Sequence, residues 1–150
     1  MKYLVKINRF FATGFGVGEL NIIPGTMGSL LALILYVLFP AVVTNPGFIF
    51  LMIILGVVSA NLEEQRTGIK DEPRIIIDEI AGMWLALILK PGLSMGQVLI
   101  AFALFRFFDI KKPGLINSSQ KLAGGLGVMV DDILSGLVVA FLLRIFFLLS

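Results

Sequence analysis

The stretch IIIDEIAGMWLALIL (residues 75–89) places two adjacent carboxylates, Asp78 and Glu79, inside an otherwise apolar run. The run ends at a Lys-Pro-Gly turn at 90–92. Its length and this helix-breaking turn favour a helix. Charged side chains are rare in such a helix unless they face a bundle interior or a wet cavity. This segment therefore predicts a helical bundle with an acidic, functional interior.

The composition of the whole chain agrees with a membrane bundle. Of its 150 residues, 58% are hydrophobic and 15% are charged, and the mean hydropathy is +1.01. Soluble domains average about 45–50% apolar and about 25% charged residues, and a chain of this length cannot bury so much apolar surface in one globule. We expect an all-α, polytopic membrane bundle formed by a single domain over residues 1–150.

Two residue types are missing, and their absence limits the chemistry. The chain contains no Cys and no His, which excludes disulfides, thiol nucleophiles, and histidine as a general base or metal ligand. The net charge of only +2 gives no reason to expect a nucleic-acid partner. An enzyme of this composition must rely on carboxylates, hydroxyls, Lys, Arg and a hard cation.

Five apolar runs are predicted as short transmembrane helices, and Pro-Gly pairs end three of them. The segment before them carries three cations and three glycines, and it predicts a retained amphipathic or re-entrant element rather than a signal peptide. Several runs fall short of the ~20 residues that a span normally needs, so the bundle is expected to be compact. The runs cover residues 28–43, 48–60, 75–89, 97–110 and 127–149.

The Lys and Arg residues predict the orientation of these helices, because positive charge accumulates in cytoplasmic loops. With a cytoplasmic N-terminus, nine cations lie on the cytoplasmic side and two on the other side. An N-in, C-out topology follows. The nine are Lys2, Lys6, Arg9, Arg66, Lys70, Arg74, Lys111, Lys112 and Lys121, and the two are Lys90 and Arg144.

The same topology brings five carboxylates to one membrane depth. Asp109 ends the fourth run, and Asp131 and Asp132 lie near the start of the fifth, at the same end as the acidic pair of the third run. Close carboxylates recruit cations, and Mg²⁺ prefers oxygen ligands. We therefore predict a Mg²⁺ site with candidate ligands Asp78, Glu79, Asp109, Asp131 and Asp132.

Plainer explanations remain open for single features. Arg74 with Asp78, and Arg106 with Asp109, have the spacing of ordinary helix ion pairs. Intramembrane carboxylates also suit a cation- or proton-coupled transporter or an accessory membrane protein. A transporter of this kind commonly shows an internal repeat, and none is visible in this sequence.

Three flanking segments have two possible interpretations each. PGTMGS (residues 24–29) precedes an apolar run, where Thr26 or Ser29 can cap a helix or form a phosphate cradle. GGLG (residues 124–127) is either a flexible turn or a backbone that passes close to a ligand. Lys112 is either a positive anchor or a contact to an anionic headgroup.

Four blocks of the sequence resemble, in order, the bacterial phosphatidylglycerophosphatase A family. The first block joins GFGVG (14–18) to IPGTMGSL (23–30), and the second is IDEIAGMW (77–84). The third is FRFFD (105–109) with the following Lys-Pro pair, and the fourth is GGLGVMVDDI (124–133). Together they span nearly the whole chain.

The resemblance implies a Mg²⁺-dependent phosphatase in the bacterial cytoplasmic membrane, with its active site facing the cytoplasm. It would hydrolyse the phosphate monoester of phosphatidylglycerophosphate to phosphatidylglycerol and inorganic phosphate. For this activity we expect a catalytic group of Asp131, Glu79 and Asp109 and a substrate-binding group of Thr26, Ser29, Arg106 and Lys112. Attack by water, or by an Asp that forms an aspartyl-phosphate, both remain possible.

Overall fold

The computed structural model describes residues 2–20, 22–88 and 92–149, with side chains described for 3–20, 22–88 and 92–146. Throughout these residues the secondary structure is helical, with no strand, which confirms the all-α class. A short 3₁₀ helix covers Val17–Leu20. The α-helices are α1 Lys2–Ala12, α2 Pro24–Leu38, α3 Pro40–Val43, α4 Pro46–Thr67, α5 Ile77–Ala86, α6 Met95–Lys111, α7 Leu115–Ser119 and α8 Gly125–Leu149.

The five predicted runs correspond to helices that differ from them in extent, and the third run shortens to α5, Ile77–Ala86. The first run is divided between α2 and α3, because Phe39 precedes a proline and leaves the helical region at φ −136° and ψ 54°. The second run continues through polar residues to Thr67, where Gly68 ends α4 with a left-handed φ of 71°. The predicted end of the third run, including Lys90, lies outside the described residues.

Two helices in the described part of the chain, α4 and α8, are long and apolar enough to cross a membrane. Helix α2 is apolar but shorter. Helix α5 has ten residues, a length of about 15 Å, and does not cross a hydrocarbon core of about 30 Å. The structure is therefore consistent with a membrane-associated protein, and the five-span topology stays a prediction.

Helix α5 lies at the centre of the bundle. Its residues from Ile80 to Ala86 are all buried, and α2, α4 and α8 pack around it. The closest approach is to α8, where a Cβ atom at Gly82 would lie 2.6 Å from the Asp132 carbonyl oxygen. Gly136 faces the carbonyl oxygen of Gly82 in turn. Glycines on both helices therefore let the two backbones approach within contact distance.

Helix α1 is amphipathic, as the N-terminal segment predicts. Tyr3, Ile7 and Phe10 are 82%, 64% and 55% exposed along one side. Asn8, on another side, donates its side-chain amide to the Ser59 carbonyl oxygen of α4 at 3.2 Å and to Glu63 Oε1 at 3.0 Å. These bonds attach the helix to the bundle and leave its apolar side uncovered.

Candidate functional site

Three carboxylates meet where the start of α5 faces α8. One oxygen each from Asp78, Glu79 and Asp132 lies within 4.8 Å of the others. Asp78 Oδ1, Glu79 Oε2 and Asp132 Oδ1 are buried and have no hydrogen-bond partner. Buried polar atoms normally have partners, so these oxygens are free to accept a hydrogen bond or to bind a cation. We call these three residues the acidic cluster.

The helix crossing explains why the cluster forms. Asp78 precedes Gly82 by four residues on α5, and Asp132 precedes Gly136 by four residues on α8. Residues four apart share one helix face, so each acid lies one turn from the glycine contact. The close approach of the backbones therefore brings side chains from distant parts of the sequence together.

The electrostatics of the cluster disfavour three bare negative charges. Burial raises the pKa of Asp78 well above its usual range, and the neighbouring Glu79 raises it further. Burial also raises the pKa of Glu79 to about 8. Two unit charges about 4 Å apart repel by about 4 kcal/mol at an effective dielectric of 20. The cluster therefore binds protons or a cation.

The other two predicted acids are paired with cations. Arg106 donates to Asp109 Oδ2. Lys112 donates to Asp131 Oδ2 and lies 3.8 Å from Asp109 Oδ1. Burial lowers the pKa of Lys112, but the contact with Asp131 and the nearby charges of Asp132 and Asp109 together raise it above the ordinary value. Asp109 and Asp131 are thus each ion-paired with a positively charged side chain.

The start of α2 closes one side of the site. A Cβ atom at Gly25 would lie 2.6 Å from Glu79 Oε1 and 3.1 Å from Arg106 Nη1, so a larger residue here would displace these two side-chain ends. Arg106 Nε is buried without a partner. The arginine therefore presents an unused donor beside the acidic cluster, next to the N-terminal end of a helix.

The prediction that Thr26 or Ser29 caps α2 is wrong. The helix begins earlier, at Pro24, because proline suits the first helical position, and the Ile23 side chain makes no capping bond. Thr26 lies in the first turn, with its N–H bonded to the Ile23 carbonyl. Ser29 is buried and donates its hydroxyl to the Gly25 carbonyl oxygen at 2.9 Å.

Two plainer alternatives from the sequence have clear outcomes. Arg74 bonds to Glu72 at 2.5 Å and lowers the pKa of that carboxyl, so the interpretation of Arg74 and Asp78 as an ion pair is wrong. The Arg106–Asp109 ion pair is present.

The glycine at the start of α8 serves helix packing. A Cβ atom at Gly125 would lie 2.8 Å from the backbone nitrogen of Asn61 on α4. Glycine at this position therefore lets the start of α8 pack directly against the α4 backbone, which favours a structural role over a ligand contact.

Sequence reasoning missed two residues beside Asp131. Gln120 donates its side-chain amide to Asp131 Oδ2 at 3.3 Å. Asp71 has a left-handed φ of 54° and donates its N–H to Glu64 Oε1 at 2.6 Å. Loss of hydration raises the pKa of the Asp71 carboxyl, although Lys112 opposes the rise. The only sequence feature that points to Gln120 and Asp71 is their position in polar loops on the predicted cytoplasmic side.

The donor set of the cluster fits a hard divalent cation. All of its atoms are carboxylate oxygens, which Mg²⁺ prefers, and one unpartnered oxygen on each residue is available to it. Fold and site together define a class: an all-helical, membrane-associated protein with a buried acidic cluster that could hold a metal ion, flanked by an arginine and a lysine.

The chain belongs to the phosphatidylglycerophosphatase A family, whose model matches residues 10–147. This is a family of phosphoric monoester hydrolases, so the chain is an enzyme of that class. No solved structure shows significant similarity to it.

Three curated relatives cover most of the chain. A putative phosphatidylinositol-3-phosphatase of Bacteroides thetaiotaomicron is 40% identical over 83% of this chain and 83% of its own length. Phosphatidylglycerophosphatase A of Haemophilus influenzae is 38% identical over 84% and 80%. The Escherichia coli protein of the same name is 35% identical over 86% and 77%.

Proposed function

We propose that the chain removes the terminal phosphate of phosphatidylglycerophosphate and releases phosphatidylglycerol and inorganic phosphate, in a Mg²⁺-dependent reaction. The observation that carries this proposal is the acidic cluster, each member of which keeps a buried, unpartnered oxygen. The Glu79 carboxylate and the Arg106 guanidinium both lie against Gly25 at the start of α2. A divalent cation and a phosphate group complement these two features. The names of two relatives support the substrate.

In this proposal Asp78, Glu79 and Asp132 hold Mg²⁺. Bound there, the cation would neutralise negative charge on the phosphate in the transition state. Asp109 and Asp131 support the same end of the site, and their partners Arg106 and Lys112 place positive charge beside it. These positive charges offset the buried negative charge of the carboxylates, which would otherwise repel a phosphate group.

The substrate phosphate is bound by Arg106 and by the start of α2. The free Nε of Arg106 donates to a phosphate oxygen, and the N-terminal end of α2, around Thr26, contributes its positive dipole. Ser29, whose hydroxyl is bonded inside α2, supports that turn. Lys112 holds Asp131 and neutralises a second phosphate oxygen.

Hydrolysis exchanges one P–O bond for another. Glu79 or Asp131 accepts a proton from the attacking water as its oxygen bonds to phosphorus. The bond from phosphorus to the lipid glycerol oxygen breaks, and the carboxyl that took the proton from water returns it to this oxygen. The chain has no His for either task, so carboxyls carry both.

Direct attack by an aspartate is the second route to the same products. It would leave the phosphoryl group on the carboxylate until water releases it. Acid quenching with a labelled terminal phosphate separates the routes: a labelled chain supports aspartyl attack, and release of label without a labelled chain supports water attack.

The direct test is phosphate release by the purified, detergent-solubilised chain. We expect turnover of phosphatidylglycerophosphate with Mg²⁺ and none after chelation. Phosphatidylinositol 3-phosphate is the comparison substrate, because one relative is named for it. Faster turnover of that lipid would change the proposed headgroup. No turnover of either lipid with Mg²⁺ would favour the cation- or proton-coupled transporter.

We further propose that the protein is a multi-pass protein of the bacterial cytoplasmic membrane with this site facing the cytoplasm. Nine of the eleven loop and terminal cations fall on the side of the acidic residues. The two membrane-length helices α4 and α8 support membrane insertion.

A further inference from the structure

An apolar cavity of about 370 Å³ lies beside α5. Ile77, Ile80 and Trp84 form its buried floor. These residues follow one helix face, whereas Asp78 and Glu79 point to the other, because successive residues turn by about 100°. The central helix therefore separates an acidic cluster on one side from an apolar cavity on the other.

The lining of the cavity defines the chemistry of its occupant. Every described side chain that lines it is apolar, from Phe11 of α1 to Met52 of α4. Water is a poor occupant, since a buried water needs polar partners. The volume falls within the range of about 300–1,000 Å³ that is typical of ligand pockets. An alkyl chain fits this lining, whereas a polar metabolite does not.

The shape and opening of the cavity also favour an alkyl chain. Its floor extends from Ile77 to Trp84, which is about 10 Å along a helix. Its rim includes Phe15, Phe39 and Val42, which are 57%, 55% and 48% exposed. The cavity is thus a slot with an exposed apolar rim, open to the surroundings of the bundle.

We propose that this slot holds one acyl chain of the lipid whose phosphate reaches the acidic cluster. The inference rests on the proposed function. A helix with its side chains is about 10–12 Å across. Between the terminal phosphate and the acyl esters, phosphatidylglycerophosphate has two glycerol units and a phosphodiester, so its phosphate and its acyl chain need not bind on the same face of α5.

The chain carries its own probe of this slot, because Trp84 is its only tryptophan. The indole is fixed at the floor: Nε1 donates to the Ala32 carbonyl oxygen at 3.1 Å, and the ring centroid lies 5.6 Å from that of Phe48. Tryptophan fluorescence therefore reports on whatever enters the slot.

The binding test uses the full chain in detergent and phosphatidylglycerol with brominated acyl chains, which quench tryptophan fluorescence on contact. We expect saturable quenching in the wild type and at least a fivefold weaker apparent affinity in Leu35→Phe/Met52→Phe, which narrows the slot. The matched control Ile34→Phe/Leu51→Phe changes adjacent exposed residues outside the lining and should quench like the wild type. Equal quenching in all three proteins would overturn the proposal.

The kinetic test compares dipalmitoyl and dihexanoyl phosphatidylglycerophosphate. The ratio of kcat/KM for the long-chain over the short-chain substrate should fall at least fivefold in Leu35→Phe/Met52→Phe and stay unchanged in Ile34→Phe/Leu51→Phe. An unchanged ratio in the slot variant, with wild-type turnover intact, refutes the slot alone. If the wild type turns over neither lipid, the proposed function is refuted. The quenching test then still shows whether an acyl chain binds in the slot. If the double variant does not fold, either single substitution should shift both readouts in the same direction.

Discussion

At the scale of single residues, the five predicted acids do not form one uniform ligand set. Asp78, Glu79 and Asp132 keep unpartnered oxygens close to one another. Asp109 and Asp131 are paired with Arg106 and Lys112, although the second oxygen of Asp131, Oδ1, is also buried without a partner. A carboxylate that already has a cationic partner gains less from a metal ion than one that has none. We therefore expect metal affinity to depend most strongly on the acidic cluster.

Replacing Arg106 by lysine should impair phosphate binding. Lysine keeps the positive charge but lacks the planar guanidinium and its Nε donor, which is free beside the cluster. We expect KM for phosphatidylglycerophosphate to rise at least tenfold. Arg66→Lys is the control, since Arg66 pairs with Glu63 outside the cluster. Equal KM values in the two variants would show that the guanidinium does not bind the substrate.

The stability of the metal-free protein should decrease as pH rises. The pKa of Glu79 is raised from 4.5 to about 8 by burial, so the folded chain binds more protons than the unfolded chain between these values. The free energy of unfolding then falls with pH across this window. Thermal melting in the presence of a chelator should show a lower Tm at pH 8 than at pH 5. Replacing the chelator by Mg²⁺ should recover most of this loss of Tm at pH 8. A Tm that rises with pH would contradict the raised pKa.

At the scale of elements, the crossing of α5 and α8 controls the site. The sequence predicted that these helices bring their acidic residues to one membrane depth, because the Lys and Arg residues of the loops indicate which helix ends lie on the same side. It did not predict which acids meet, because that depends on how closely the backbones approach at Gly82 and Gly136. The reach of Lys112 to Asp131, 19 residues away in sequence, likewise depends on the tertiary fold.

A methyl group at Gly82 should separate α5 from α8. The added Cβ would lie 2.6 Å from the Asp132 carbonyl oxygen and 2.8 Å from the Phe105 ring, so the helices must move apart. Overpacking of this kind costs about 1–3 kcal/mol, and we expect Gly82→Ala to lower both Tm and turnover. Gly96→Ala on α6 is the control, since nothing lies within 4 Å of its Cβ. Similar losses in both variants would argue against the crossing.

At the scale of the whole molecule, composition predicted the helical class, and loop charge predicted a sidedness that the structure does not test. Helix lengths were predicted less well, because apolarity does not mark where a helix ends. Six of the seven residues at 61–67 are polar yet the segment is helical, and the apolar residues Ile75 and Ile76 precede α5. The α4 extension is stabilised by bonds such as Arg66 to Glu63 at 2.6 Å, which hydropathy does not reveal.

The predicted orientation can be tested directly because the chain has no cysteine. Single cysteines at the exposed positions Ala41 and Lys121 lie near opposite ends of the long helices. In intact spheroplasts a membrane-impermeant maleimide should label Ala41→Cys, and it should label Lys121→Cys only after permeabilisation. The reverse pattern would place the acidic cluster on the outer side.

The central claim is that the acidic cluster binds a divalent cation, and a Mn²⁺ titration followed by electron paramagnetic resonance tests it most directly. Mn²⁺ shares the oxygen preference of Mg²⁺. The wild type and Glu63→Gln should bind Mn²⁺ with the same affinity, because Glu63 is equally buried but bonded to Arg66 and Asn8 elsewhere. Asp132→Asn should bind at least tenfold more weakly. Equal binding by Asp132→Asn and the wild type would contradict the claim.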